Sequence, residues 1–158
     1  MSDLKKILLV EDNPKDLELT LVALERSQLA NEVVTARDGV EAINWLFRKG
    51  PHAGRGAEDP AVVLLDLKLP KMDGLEVLKA IKTDPATRHV PVVMLTASRE
   101  ESDLVQSDDL GVNAFVVKPV DFQEFFVAIR DLGIFWAILN EPSPGQIRTT
   151  GPMKVTEA

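Results

Sequence analysis

Residues 61–74 read AVVLLDLKLPKMDG. Five apolar residues precede Asp66 without interruption, a pattern typical of a strand covered by helices on both faces. The Asp73-Gly74 pair is a turn signal, and Glu76, three residues after Asp73, fits the pattern of a helix N-terminus. The segment therefore predicts a buried parallel strand that ends at Asp66, followed by a loop and a helix.

The same order of strand and helix repeats along the chain. Short runs of β-branched and aliphatic residues predict strands at 7–10, 32–36, 61–65, 90–95 and 114–117. Segments with apolar residues at helical spacing follow these runs, as at Leu75, Leu78 and Ile81. Such alternation produces right-handed crossovers and an open, doubly wound parallel sheet, so the predicted fold class is α/β.

Composition limits the possible functions. The 158 residues are 45% hydrophobic and 27% charged, which is typical of a soluble globular domain. The net charge of -7 opposes nonspecific binding to nucleic acid, and the absence of cysteine excludes disulfides and thiolate metal sites. Glu11 and Asp12 interrupt the first apolar run before a signal peptide could form, and no run approaches the ~20 residues that cross a bilayer. We expect a cytoplasmic protein with no nucleic-acid or membrane partner.

The carboxyl-terminal part of the chain differs from the rest. We expect one domain over residues 1–132, an apolar extension over 133–140 and a flexible tail over 141–158. Residues 132–139 read LGIFWAIL and are apolar all round, as at an interface, so we predict self-association there. The alternative is that this segment folds back onto its own domain. We also expect no output domain, because so few residues cannot form a second core.

Polar residues follow four of the predicted strands. The first is followed by Glu11 and Asp12, the third ends at Asp66, the fourth at Thr96, and the fifth at Lys118. Because the carboxyl ends of parallel strands meet at one edge of the sheet, these side chains are expected to converge. Three adjacent carboxylates require a cation, and Mg²⁺ suits one or two carboxylates supplemented by water and phosphate oxygens. The set therefore predicts a phosphoryl-transfer site with an aspartate as acceptor.

Each of these residues also has a plainer interpretation. The Glu11 to Pro14 segment could be only the acidic cap of a helix, Thr96 a core hydroxyl and Lys118 a solvated charge. Their joint placement at the ends of four strands favours the site over these separate interpretations.

Four motifs carry a family resemblance. They are LVEDN at 9–13, LLDLKLPKMDG at 64–74, LTAS at 95–98 and AFVVKP at 114–119. In this order they resemble the receiver domains of bacterial two-component response regulators, over roughly residues 5–132. The resemblance implies a flavodoxin-like fold, with a five-stranded parallel sheet in the strand order 2-1-3-4-5.

The resemblance also implies roles for individual residues. Asp66 would be the phosphoacceptor, Lys118 and Thr96 would contact the phosphoryl group, and Thr96 and Phe115 would form the conformational switch. The Lys118-Pro119 peptide would be cis.

The implied metal site uses four residues. Mg²⁺ would be bound by the side chains of Asp12 and Asp66 and by the backbone carbonyl of Lys68, while Glu11 would act mainly through water.

The predicted function is that of a single-domain response regulator. It would receive a phosphoryl group on Asp66 from a sensor histidine kinase, and would catalyse only its own phosphorylation and dephosphorylation. The apolar extension, the loop at 50–60 and the Asn-Glu-Pro sequence at 140–142 are similar to regulators that pair with phytochrome-type kinases. A homodimer through the fourth helix, fifth strand, fifth helix and residues 132–139 is expected.

Three other functions are compatible with parts of this pattern. A phosphorelay intermediate would pass the phosphoryl group onward, and a receiver-like interaction module would not take it at all. A haloacid-dehalogenase-type phosphatase needs a second aspartate two residues after its nucleophile, where this chain has Lys68.

Overall fold

A parallel sheet with helices on both faces forms the body of the molecule. The computed structural model describes residues 5–27, 31–54, 58–107, 112, 114–133 and 153–158. Its strands are β1 (Ile7–Val10), β2 (Val33–Ala36), β3 (Val62–Asp66), β4 (Val92–Thr96), β5 (Ala114–Val117) and β6 (Val155–Glu157). Its helices are α1 (Pro14–Arg26), α2 (Gly39–Leu46), α3 (Gly74–Thr83), α4 (Arg99–Ser107) and α5 (Phe122–Leu132), with a 3-10 turn at Gly50–His52.

The strand order confirms the predicted doubly wound, flavodoxin-like topology. The order is β5-β4-β3-β1-β2-β6, and every adjacent pair is parallel. The central strand β1 places Leu8 opposite Val34 of β2 and Val63 of β3. The five predicted strands thus occur in the expected order 2-1-3-4-5, and a sixth strand extends the β2 edge.

Two apolar layers explain why the strand sequences are continuously hydrophobic. Ile7 and Leu9 contribute to the layer beneath α1 and α5, whereas Leu8 and Val10 contribute to the layer beneath α2, α3 and α4. All four residues of β1 are fully buried. Since successive side chains of a strand point to opposite faces, a strand covered on both sides has no position for a polar residue.

Side chains cap some of the helix starts and not others. Asn13 Oδ1 accepts hydrogen bonds from the backbone N–H of Lys15 and Asp16 at 2.9 and 3.0 Å. Asp38 Oδ1 accepts one from Glu41 at 2.7 Å. Asp73 and Asp121 directly precede α3 and α5 but make no side-chain cap hydrogen bond.

Strand β6 replaces part of the predicted flexible tail. It pairs with β2, with Val33 N–H donating to the Lys154 carbonyl at 2.9 Å and Ala158 N–H donating to the Thr35 carbonyl at 2.7 Å. A three-residue strand is too short to show alternation in the sequence, and β2 lies more than a hundred residues earlier. Residues 134–152, which hold most of the predicted apolar extension and the start of the predicted tail, lie outside the described residues.

The Glu32 carboxylate connects β6 with the rest of the domain. Its Oε1 accepts a 2.6 Å hydrogen bond from the Thr156 hydroxyl, and it pairs with Lys6 and Lys154, each at 3.3 Å. Burial acts to raise the pKa of Glu32, but these three partners outweigh burial and lower the pKa below its usual value of 4.5.

Within the described residues, no helix combines the length and the apolar character needed to span a membrane.

Replacing Glu32 by glutamine tests how much these contacts contribute to stability. At neutral pH, Glu32→Gln is expected to lower the free energy of unfolding by up to about 1 kcal/mol, because its lysine partners are largely exposed and screened. The stabilisation is present above the unfolded pKa of 4.5 and is lost as the pH falls through the lower folded pKa. Thermal unfolding measured down to about pH 3 should therefore show wild type and variant converging. A gap that stays constant in acid would contradict this, and Glu25→Gln, on the exposed face of α1, is the matched control.

Candidate functional site

Lys118 contacts three carboxylates at the carboxyl edge of the sheet. Its Nζ lies 3.2 Å from Glu11 Oε1, 3.1 Å from Asp66 Oδ2 and 3.1 Å from Asp16 Oδ2. Glu11 is 1% exposed and Asp66 4% exposed. Carboxylates are rarely buried this deeply without a partner. The Lys118 ammonium therefore stabilises the buried carboxylates, and it is also available as a hydrogen-bond donor at the site.

The sheet register brings these groups together. Val10 of β1 is paired with Leu65 of β3, so Glu11 and Asp66 extend side by side from the ends of adjacent strands. Lys118 follows β5, and its backbone N–H donates to the Thr96 carbonyl at 2.7 Å. The Lys118-Pro119 peptide is cis, as expected.

A glycine keeps the loop after β3 close to the site. Gly74 begins α3, and its N–H donates to the Leu67 carbonyl at 3.0 Å. A Cβ at this position would overlap the backbone carbonyl oxygen of Asp66. The Asp73-Gly74 pair of the sequence is therefore a close-approach position that folds the loop against the phosphoacceptor candidate.

The charges at this edge do not balance without a further cation. Burial, followed by the hydrogen bond and charge of Asp66, raises the pKa of Glu11 to about 8. Burial opposes the charged form of Lys118, yet Asp16, Asp66 and Glu11 outweigh burial and raise the pKa of this lysine. Glu11 is therefore mostly protonated at neutral pH, but Lys118 still carries only one positive charge against the Asp16 and Asp66 carboxylates that it contacts. The edge thus keeps an excess of negative charge.

The acidic cluster fits a hard divalent cation. Carboxylate oxygens of Glu11, Asp12 and Asp66 all lie within 4.8 Å of one another. Asp12 is exposed, so the cluster opens to solvent and leaves room for water ligands. An all-oxygen donor set with excess negative charge suits Mg²⁺, which keeps several waters. The side chain of Lys68 is 80% exposed and pairs with Glu101 at 3.5 Å, so any metal contact of Lys68 would use its backbone carbonyl.

Thr96 ends β4 and Phe115 lies in β5, and both side chains lie on the side of the sheet that α4 covers. Thr96 is fully buried, and its hydroxyl bonds to the Ser102 hydroxyl at 2.8 Å and to the Ser98 carbonyl at 3.2 Å. Phe115 is half-buried against the apolar layer beneath α2, α3 and α4. It also lines a cavity of about 740 Å³ between α4, β5 and α5.

Asp16 is a site residue that the sequence did not predict. It lies in the first turn of α1 and contacts Lys118 across 102 positions of the chain. The available signal was its position four residues after Asp12, at the start of a helix that begins beside the acidic edge. An acidic residue in a first helical turn is more often read as a favourable dipole partner, which is why the signal was weak.

Comparison with known proteins identifies the family of the chain. Residues 7–130 match the family model of the response regulator receiver domain. The chain belongs to this family. Receiver domains of response regulators act in signalling, and the fold described above is that of a receiver.

Several relatives of this receiver are single-domain regulators linked to phytochromes. Response regulator Rcp1 of Synechocystis sp. (strain ATCC 27184 / PCC 6803 / Kazusa) is 38% identical over 132 residues, which are 84% of this chain and 88% of Rcp1. The bacteriophytochrome response regulator AtBRR is 68% identical, with a TM-score of 0.83 over 89% of this chain and 100% of that chain. The phosphorylated cyanobacterial phytochrome response regulator RcpA is 44% identical, with a TM-score of 0.68 over 84% of this receiver and 94% of RcpA. A structure of Rcp1 is of its Mn²⁺-bound form.

Asp12 offers the cleanest test of metal binding by this receiver. Because Asp12 is exposed, Asp12→Asn should fold normally. The variant loses one negatively charged oxygen that would bind Mg²⁺. Its affinity for Mg²⁺ should fall by about tenfold, a change that needs only about 1.4 kcal/mol. Isothermal titration calorimetry measures this directly. The matched control is Glu18→Gln, which removes the same charge from the exposed face of α1 and should bind Mg²⁺ as wild type does; equal affinities for all three proteins would contradict the assignment.

Proposed function

We propose that this receiver accepts a phosphoryl group on Asp66 from a sensor histidine kinase, with Mg²⁺ bound, and signals through a change of conformation or association. The observation that carries the proposal is the contact of Lys118 with Asp66 and Glu11 at a buried, acidic edge. The proposal places the protein in the cytoplasm, where kinases of this type obtain their phosphoryl group from ATP.

The residues of the edge have distinct tasks in this reaction. A carboxylate oxygen of Asp66 attacks the phosphorus of the donor, the bond from phosphorus to the donor imidazole breaks, and the imidazole leaves. Lys118 stays charged because Glu11 and Asp16 hold it, and its ammonium can donate to an oxygen of the transferred group. When bound at Glu11, Asp12 and Asp66, Mg²⁺ neutralises negative charge on the carboxylates and the phosphoryl oxygens.

The relatives support the choice of donor. RcpA is described as phosphorylated and as a phytochrome response regulator, and AtBRR as a bacteriophytochrome response regulator. We therefore propose a phytochrome-type histidine kinase as the partner of this chain. The Mn²⁺-bound form of Rcp1 supports a divalent metal.

Signalling would use Thr96 and Phe115. The hydroxyl of Thr96 would leave its present partners to donate to the phosphoryl group, and Phe115 would turn further into the cavity beside α4. The surface of α4, β5 and α5 would change as a result, which biases an existing equilibrium between two conformations.

Intact-mass analysis tests the phosphoryl transfer. Wild type incubated with Mg²⁺ and acetyl phosphate, or with a phosphorylated phytochrome-type kinase, should gain one phosphoryl adduct. Asp66→Asn should gain none, because an amide cannot serve as the acceptor. Asp73→Asn, a nearby aspartate of the loop before α3, is the matched control and should be modified like wild type. The proposal fails if wild type stays unmodified with every donor, the outcome expected of a receiver-like module that does not take phosphate.

We further propose that two copies associate through the surface of α4, β5, α5 and residues 132–139. Val127 of α5 is 41% exposed and lines the cavity between α4 and α5. Val127→Asp should therefore shift a dimer to monomer without unfolding the domain, as measured by multi-angle light scattering with and without a phosphate mimic. The control is Val40→Asp on α2, where a similarly exposed valine lies on another surface. Monomeric wild type in both states would exclude the dimer.

A further inference from the structure

The hydroxyl of Thr96 is held by α4 in this structure. Its shortest hydrogen bond runs to the Ser102 hydroxyl at 2.8 Å, and a longer one runs to the Ser98 carbonyl at 3.2 Å. Ser102 Oγ also lies 3.3 Å from the same Ser98 carbonyl. Within the described part of the chain, the hydrogen bonds of Thr96 Oγ1 go to Ser102 of α4 and to Ser98, directly before α4, and not to Asp66.

We infer that Ser102 is a positioning residue that holds Thr96 in the resting conformation and thereby sets how readily Asp66 takes a phosphoryl group. This role rests on the proposed function, because Ser102 is the partner with which a phosphoryl oxygen on Asp66 would compete for the Thr96 hydroxyl. It assigns a role to a side chain of α4 that does not itself reach the acidic cluster.

The distances make the Thr96–Ser102 bond the strongest of three contacts. Thr96 and Ser102 have one hydroxyl proton each, while three short contacts link these hydroxyls and the Ser98 carbonyl. Two protons satisfy two of the three contacts, and the shortest is the hydroxyl pair. Because Thr96 is fully buried, loss of this partner without a replacement would be unfavourable, so the pair resists movement of Thr96.

Helix α4 does not depend on Ser102 for its start. The Ser98 hydroxyl accepts a hydrogen bond from Glu101 N–H at 3.2 Å, and Glu101 Oε1 accepts one from Ala97 N–H at 3.2 Å. These two bonds already satisfy backbone donors at the first turn. The shorter of the two contacts of the Ser102 hydroxyl, at 2.8 Å against 3.3 Å, is the one with Thr96.

Ser102 also connects Thr96 with the surface that would change on activation. It lines the cavity between α4 and α5 together with Phe115. Ser102 thus contacts Thr96 and lines the same cavity as Phe115, the side chain proposed to turn inward. Ser102 can couple the two movements without contact with the phosphoryl group.

Beryllofluoride, a mimic of an aspartyl phosphate, provides the test. With the full chain and saturating Mg²⁺, Ser102→Ala should bind it about three- to tenfold more tightly than wild type, because the mimic no longer competes with one hydrogen bond. Ser102→Thr keeps the hydroxyl and should bind like wild type. The matched control is Ser27→Ala, which removes a serine hydroxyl bonded to the carbonyl four residues earlier, far from the site.

A second comparison separates positioning from a general structural effect. A Thr96→Ala variant is expected to bind the mimic weakly. In this background, adding Ser102→Ala should change the affinity no further, because there is no Thr96 hydroxyl left to hold. Equal affinities of wild type and Ser102→Ala would overturn the inference, as would an equal gain from Ser102→Ala in the Thr96→Ala background. If wild type itself binds no beryllofluoride, or if Asp66→Asn binds it equally well, the proposed function fails instead.

Discussion

Glu11 and Asp66 are buried side by side at the edge of the sheet, and Lys118 is the cation that makes this burial tolerable. A buried carboxylate pair is strongly unfavourable in isolation, which is why the pKa of Glu11 is raised to about 8. Lys118, which also pairs with Asp16, offsets part of the free-energy cost of burying the two carboxyl groups. It still leaves negative charge in excess. This excess negative charge favours the binding of a divalent metal, which would in turn neutralise charge on a transferred phosphoryl group.

The fold provides this edge through its strand ends. The alternation of strand and helix sets β1 beside β3, and the register of these strands sets Glu11 beside Asp66. Gly74 lets the loop after β3 approach the Asp66 carbonyl, and β4 ends at Thr96, whose hydroxyl is held from α4 by Ser102. Under the proposed function, phosphorylation of Asp66 would reach α4 through this one buried hydroxyl.

Much of this arrangement could be predicted from the sequence, because two of its signals are local. Continuous apolar runs mark the strands, and a polar residue directly after such a run lies at the carboxyl edge, as Asp66 and Lys118 do. Asp16 was missed because its partner is 102 positions away and its local context explains it equally well as a helix-dipole residue. Strand β6 was missed because its pairing depends on the distant β2 edge and on Glu32. The Thr96–Ser102 bond depends on the rotation of α4 over β4, which no spacing in the sequence specifies.

A crystal structure of the chain with Mn²⁺ and beryllofluoride would test the account most directly, since anomalous scattering locates the metal. The account predicts the metal among Glu11, Asp12 and Asp66, beryllium bonded to a carboxylate oxygen of Asp66, and the Lys118 ammonium hydrogen-bonded to a fluorine. The Thr96 hydroxyl should have left Ser102 for the mimic. The account would be contradicted by beryllium on another carboxylate, or by a mimic on Asp66 while Lys118 remains with Glu11 and Asp16.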